Sequence, residues 1–195
     1  MVRSDQEWMV RVQAGEEEAF NVLVGRYRQP VIHFVYRLVH EPALAEELAQ
    51  EVFLRVYRAR RSYRPQAKFT TWLFRIATNV ALNALRDGRM RRARETSLES
   101  GRPGPEPLAP REMVDPGGNA EQRMIELERR ESIRRAVEAL PEKQRLAVLL
   151  HKYQELDYAE IADILGCSES ALKSLLFRAY ETLRGKLRPL LGARA

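Results

Sequence analysis

Residues 158–168 read Tyr-Ala-Glu-Ile-Ala-Asp-Ile-Leu-Gly-Cys-Ser. Asp157 just before them and Glu160 three residues on predict a capping box, in which the two side chains satisfy free amides of a first helical turn. Gly166 suits the left-handed turn that ends a helix, and Ser168 can cap the next helix, which reaches past Leu183. Ala162 is small where two helices must cross closely, while Ile161, Leu165 and Leu172 can fill the angle between them. Together these features predict a helix-turn-helix, whose second helix enters the major groove of DNA with its N-terminal residues at the base edges. The first helix is acidic, with Glu155, Asp157, Glu160 and Asp163, whereas the second becomes basic. An ordinary helical hairpin shares the local pattern, so the rest of the chain must decide.

Working outward, Pro141 opens a helix that runs to about Tyr153, and residues 120–139 form another before it. The composition then changes. Between Thr96 and Asn119 lie five of the ten prolines and four of the ten glycines, with few large apolar residues. Such a segment buries too little surface to offset its ordering entropy, which predicts a flexible linker over residues 96–119.

Residues 1–95 read as a second helical unit. Ser4 with Glu7 is a capping-box pattern, Trp8, Met9 and Val12 follow at helical spacing, and Gly15 can end that helix. A second helix from about Glu16 carries Phe20, Leu23, Val24 and Tyr27, and Pro30 is expected to kink or divide it. Pro42 suits the first position of a third helix, in which Leu44, Leu48, Val52 and Val56 repeat every fourth residue. A basic loop from Arg60 to Lys68 precedes a fourth helix over about residues 71–87. No stretch alternates convincingly with period two, and no internal repeat occurs. The expected architecture is all-α: two small helical domains, residues 1–95 and 120–195, joined by a flexible linker, with the helix-turn-helix in the second.

The 195 residues are 45% hydrophobic and 31% charged, with a formal net charge of +6, which describes a globular protein with a leaning toward polyanions. Charge distribution says more than the sum. From Arg55 to Arg94 there are twelve Lys or Arg residues and one acid, Asp87, interleaved with Tyr57, Tyr63, Phe69, Trp72 and Phe74. A second basic stretch comprises Lys173, Arg178, Arg184, Lys186, Arg188 and Arg194 against Glu181 alone. Two separated basic surfaces imply two contacts with nucleic acid. Apolar runs such as residues 146–150 fall far short of the roughly 20 residues that span a bilayer, and the polar N-terminus lacks a signal-peptide core; both predict the cytoplasm. The lone Cys167 excludes an internal disulfide and suits a packing role in the turn better than a redox one. His33, His40 and His151 lack metal-ligand spacing, and there is no phosphate-binding glycine loop or nucleophile motif. The expectation is no enzyme, no metal and no cofactor.

Four segments carry a family resemblance. YAEIADILGCSESALKSLLFRAYETLRGKL, residues 158–187, resembles the C-terminal promoter-binding domain of the extracytoplasmic-function sigma factors, and ALPEKQRLAVLLHKYQELDY, residues 139–158, is similar to the segment leading into it. LAEELAQEVFLRVYRARRSY, residues 44–63, resembles the family's polymerase-binding helix. FTTWLFRIATNVALNALR, residues 69–86, resembles its promoter-melting helix. The likeness covers about residues 7–94 and 121–188. It implies a factor that binds core RNA polymerase, at the clamp helices of the largest subunit and at the flap, and directs promoter-specific initiation in an envelope or other stress response. An anti-sigma factor is the implied regulator, since the chain carries no long acidic N-terminal extension to block its own DNA binding.

Residue roles follow from the same resemblance. Glu47, Gln50, Glu51, Phe53 and Leu54 are expected to dock on the clamp, with Glu46 either beside them or simply solvated. The loop from Tyr63 to Thr70, including Lys68 and Phe69, is expected to surround the non-template strand of the downstream promoter element with Asn79 and Asn83. There one base flips into a pocket, and the Asn79 amide can both donate to and accept from its edge. Arg75 and Arg86 are expected phosphate contacts, and the arginines of residues 89–94 form a patch that reads no sequence. Trp72 and Ile76 share a face and read as core. In the second domain Ser170, Lys173, Ser174, Phe177 and Arg178 are the expected contacts to the upstream element. Leu175 stands where the family often has arginine, and Glu169 and Ser170 replace the usual small residues, so the preferred promoter sequence stays open. A stand-alone helix-turn-helix regulator is the competing reading; it explains the residues after Asp157 but neither the clamp-like helix nor the basic aromatic block.

Overall fold

The computed structural model describes the backbone of residues 3–66, 68–96, 120–154 and 156–191, and the side chains of 3–66, 68–88, 123–154 and 156–188. Among the described residues every regular element is a helix, with no strand, and the chain divides into two compact units, residues 1–109 and 110–195. The stretch expected to be a linker lies outside the described residues beyond Thr96.

The first unit contains α1 (Asp5–Gln13), α2 (Glu17–Val39), α3 (Pro42–Arg58), a 3-10 turn (Arg60–Ser62) and α4 (Phe69–Thr96). The expected capping box opens α1: Ser4 Oγ accepts from the Glu7 amide at 3.3 Å, and Glu7 Oε2 accepts from the Ser4 amide at 2.7 Å. Gly15, at φ +94°, makes the turn into α2. Pro30 does not divide α2, which runs unbroken through it. Proline there removes one helical hydrogen bond and costs about 3 kcal/mol. Burial of Leu23, Val31, Phe34, Val35 and Leu38 on both sides holds the helix together. On α3 the buried stripe is Ala45, Ala49, Val52, Phe53 and Val56, with Leu44 and Leu48 only half-buried at its margin. The expected seam thus holds at Val52 and Val56, whereas at its N-terminal half Ala45 and Ala49 take the buried positions in place of Leu44 and Leu48.

Helix α4 is longer than the expected 71–87 at both ends. Phe69 and Thr71 are buried at its start, and the strong helix formers after Leu85 carry it past Gly88. Its inward face holds Leu73, Phe74, Ala77, Val80 and Ala81, and Phe34 meets Phe74 edge-on with ring centroids 5.4 Å apart. The expected inward face was different: Trp72 and Ile76 are only half-buried, whereas Phe74 is core.

The second unit contains α5 (Ala120–Glu138), α6 (Glu142–Tyr153), α7 (Tyr158–Leu165) and α8 (Glu169–Leu191). Helix α6 is its centre, with Leu146 to Leu150 all buried, and it packs against α7 and α8. The Asp157–Glu160 capping box forms as expected, with bonds of 2.8 and 2.9 Å. Gly166 caps α7 at φ +61°. Ser168 Oγ accepts from the Ala171 amide at 3.2 Å at the head of α8. Ile161, Ala162 and Leu172 are buried in the angle between α7 and α8, while Leu165 is partly exposed at its edge.

Candidate nucleic-acid interface

Helical periodicity puts residues three and four apart on one face. On α3, Glu47, Gln50, Glu51 and Leu54 share the face opposite the buried stripe. Leu54 is 50% exposed and is the apolar residue available there. Phe53 does not belong to that face: it is 7% exposed and turned into the core, because its position falls in the stripe that packs inward. Glu51 Oε1 accepts from Arg55 Nε at 2.6 Å, one turn on, so its charge is already shared within the helix. The acidic face lies toward the N-terminal half of α3, and Arg55 and Arg58 occupy its last turn, where a helix dipole favours cations.

Arg55 and Arg58 also line an open hollow of about 330 Å³ in the first unit, together with Ala59, Ile76 and Asn79. The exposed Asn79 thus shares an open hollow with two arginines and the apolar Ala59 and Ile76, and an asparagine amide can both donate to and accept from a base edge. Asn83 and Arg86 lie one and two turns further along α4, exposed, and Arg75 is half-buried. Lys68 is exposed and Thr70 partly so. Tyr63 and Phe69, by contrast, are 3% and 1% exposed. Their rings pack on each other at 6.2 Å, with Trp72 5.3 Å from Tyr63 and Tyr27 5.4 Å from Phe69. They form the floor under the loop and do not offer stacking platforms; burial pushes the Tyr63 phenol up to about 12. Arg55 and Arg58 were legible only as members of a basic aromatic block, and Ile76 only as a core residue, since their meeting with Asn79 depends on the packing of α3 against α4.

In the second unit Ser170, Lys173, Ser174, Phe177 and Arg178 form one outward stripe on α8, all exposed, opposite the buried Leu172, Leu176, Ala179 and Leu183. Lys173, Ser174, Phe177 and Arg178 line an open hollow of about 590 Å³. Phe177 is 68% exposed, a large apolar ring in water with a lysine and an arginine beside it. Ser174 Oγ donates to the Ser170 carbonyl at 3.1 Å, and Arg178 Nε donates to the Ser174 carbonyl at 3.2 Å. The Arg178 bond is made by Nε, and an arginine's terminal nitrogens are chemically matched to guanine O6 and N7. Among the described residues, no group of three or more His, Cys, Asp or Glu side chains is placed to hold a metal ion, and no helix is long and apolar enough to cross a membrane.

Comparison with known proteins separates the two units along the same lines. Residues 23–91 match the Sigma-70 region 2 family, and residues 130–183 match Sigma-70, region 4. The ECF RNA polymerase sigma-E factor of Escherichia coli K12 is 36% identical over 194 residues, covering 96% of each chain. The chain belongs to the extracytoplasmic-function sigma factors. The RNA polymerase sigma-H factor of Pseudomonas aeruginosa is 33% identical over 188 residues, covering 96% of this sigma factor and 95% of the relative. Among solved structures, CnrH in complex with the cytosolic domain of CnrY aligns over 99% of this sigma factor and 100% of CnrH, with a TM-score of 0.67 at 21% identity. RpoE in complex with the anti-sigma factor NepR from Bartonella quintana aligns over 87% and 96%, with a TM-score of 0.65 at 21% identity. At that identity the two structures speak for the fold.

Proposed function

We infer that this sigma factor binds core RNA polymerase and directs it to promoters, with the polymerase contact on the outer face of α3 and the DNA contacts divided between its two units. The observation that carries this reading is the pairing of the two family regions with two unlike exposed faces: an acidic one with Leu54 on α3, and a basic one with Phe177 on α8. Glu47, Gln50, Glu51 and Leu54 dock on the clamp helices; carboxylates facing a basic partner set orientation and association rate, and the leucine supplies buried contact. The loop of residues 64–70 with Asn79, Asn83, Arg75, Arg86 and the two arginines of α3 holds the melted downstream element. Ser170, Lys173, Ser174, Phe177 and Arg178 read the upstream element as duplex, in a unit that also meets the flap.

The sigma factor acts in the cytoplasm and has no catalytic activity of its own, the chemistry of transcription belonging to the polymerase. Its control in an envelope or other stress response falls to an anti-sigma factor, a proposal supported by the Bartonella quintana neighbour, whose fold accommodates one. Adding the protein to core polymerase on a promoter library tests the central reading: specific initiation is expected, and Leu54→Ser is expected to weaken holoenzyme assembly while the exposed site leaves folding intact. Sequence-specific duplex binding with no effect on polymerase would overturn it in favour of a stand-alone regulator.

A further inference from the structure

Helix α1 precedes the region 2 match, which begins at residue 23, and none of the contacts assigned above uses it. It nevertheless holds the loop between α3 and α4 at both ends. At its C-terminal end, Gln13 Nε2 donates to the backbone carbonyl of Arg60 at 2.9 Å and to that of Tyr63 at 2.8 Å, both part-buried. One amide nitrogen carries two hydrogens, and both are spent on these carbonyls. At the N-terminal end of α1, the Asp5 carboxylate accepts from the Tyr27 hydroxyl and pairs with Arg26. The Tyr27 ring in turn lies 5.4 Å from Phe69, where the loop re-enters α4. Asp5 also adds to the upward shift of the Tyr63 phenol, second to burial, which places its charge near that ring. Between the two anchors lie the exposed Arg64, Pro65, Gln66 and Lys68.

A short segment fixed at both ends has few conformations left to lose when a ligand enters, and little room to shift toward a wrong one. Gln13 makes the direct bonds to the loop backbone, whereas Asp5 acts through a second side chain. We propose that α1 braces the base-reading loop, with Gln13 a positioning residue that sets discrimination at the downstream promoter element through its bonds to the Arg60 and Tyr63 carbonyls. The proposal rests on the assignment of that loop to the downstream element.

Gln13→Met keeps the side-chain length and removes both donors. The test is promoter opening by holoenzyme, followed by permanganate reactivity, on the preferred promoter and on templates with each downstream-element base changed singly. Asn79→Ala is run beside it. Gln13→Met is expected to reduce the ratio of opening on preferred over substituted templates by about tenfold, the scale of one to two net hydrogen bonds. Substitutions in the upstream element should retain their full effect, and amides of residues 64–66 in the full-length sigma factor should exchange hydrogen faster. An unchanged ratio, or an equal loss on every template, overturns the brace even if exchange is faster. If Asn79→Ala alters the ratio and Gln13→Met does not, the brace falls and the site stands. If Gln13→Met alters it and Asn79→Ala does not, the brace stands and the role given to Asn79 falls.

Discussion

Gly166 shows how a single residue can be required for its backbone alone. Its φ of +61° is a conformation in which an L side chain is strained, yet a Cβ added there would meet no atom within 4 Å. Gly166→Ala should therefore cost about 1–2 kcal/mol from backbone strain without a packing penalty. Urea unfolding that shows a lower midpoint at unchanged slope checks this, and a loss of 4 kcal/mol or more, on the order reserved for core cavities, would contradict it. This position was legible because glycine between two helical patterns has one common structural meaning. His40 was not: it ends α2 in the same left-handed region, at φ +59°, without being glycine. Nor was Gln13, whose partners lie 47 and 50 residues away and leave no local trace. Phe53, Tyr63 and Phe69 show the opposite error. The resemblance placed them at contacts, but a large aromatic ring gains much from burial in a small helical unit, and all three are core.

At the scale of the helix, periodicity gave the elements reliably and their ends less so, because α4 is extended by residues whose helical preference is strong but whose faces are mixed. Helix α5 has a weak apolar pattern, and charge pairs run along it. Glu131 accepts from Arg134 at 2.6 and 2.7 Å and from Arg135 at 2.7 Å, and Arg134 also pairs with Glu138. Hydrogen bonds from Arg134 hold the Glu131 carboxyl well below its ordinary value of 4.5, at about 2, and raise the Arg134 guanidinium in return. A carboxyl whose folded value is depressed contributes stability that is fully present above the unfolded value and disappears as pH falls through the folded one. The unit should accordingly lose stability between about pH 4.5 and pH 2 by more than a Glu131→Gln variant does. The difference will be modest, because the pair is solvent-screened, and should shrink in high salt. Equal losses in the two proteins, followed by urea midpoints at pH 5 and pH 3, would show that the network contributes nothing.

Across the whole molecule, the two units carry basic faces built for different states of DNA. Under the proposed function the α8 stripe reads an intact duplex, whereas the hollow around Asn79 takes a base that is exposed only after melting. Arg178→Ala should cost about 1–3 kcal/mol of binding to duplexes that carry the preferred upstream element if it makes a bidentate base contact. Asn79→Ala should leave that binding nearly unchanged and reduce permanganate-reactive thymines in the opened promoter. Loss of duplex binding in the Asn79 variant would mean that the two faces do not divide the work in this way. Two domains and the exposed stripe of α8 could be read from sequence, the stripe because its residues recur at helical spacing; the hollow around Asn79 could not, because two helices have to meet to form it. Which preferred bases the α8 face selects could not, since Leu175 and Ser170 depart from the family pattern.

The five outward residues of α8 have a further consequence for how such proteins diversify. Ser170, Lys173, Ser174, Phe177 and Arg178 are all exposed, while Leu172, Leu176, Ala179 and Leu183 hold the helix in place. Exposed substitutions away from caps and cores usually change stability by no more than about 0.5 kcal/mol. Under the proposed function, copies of such a gene can thus drift in the promoters they choose while their folding is left untouched.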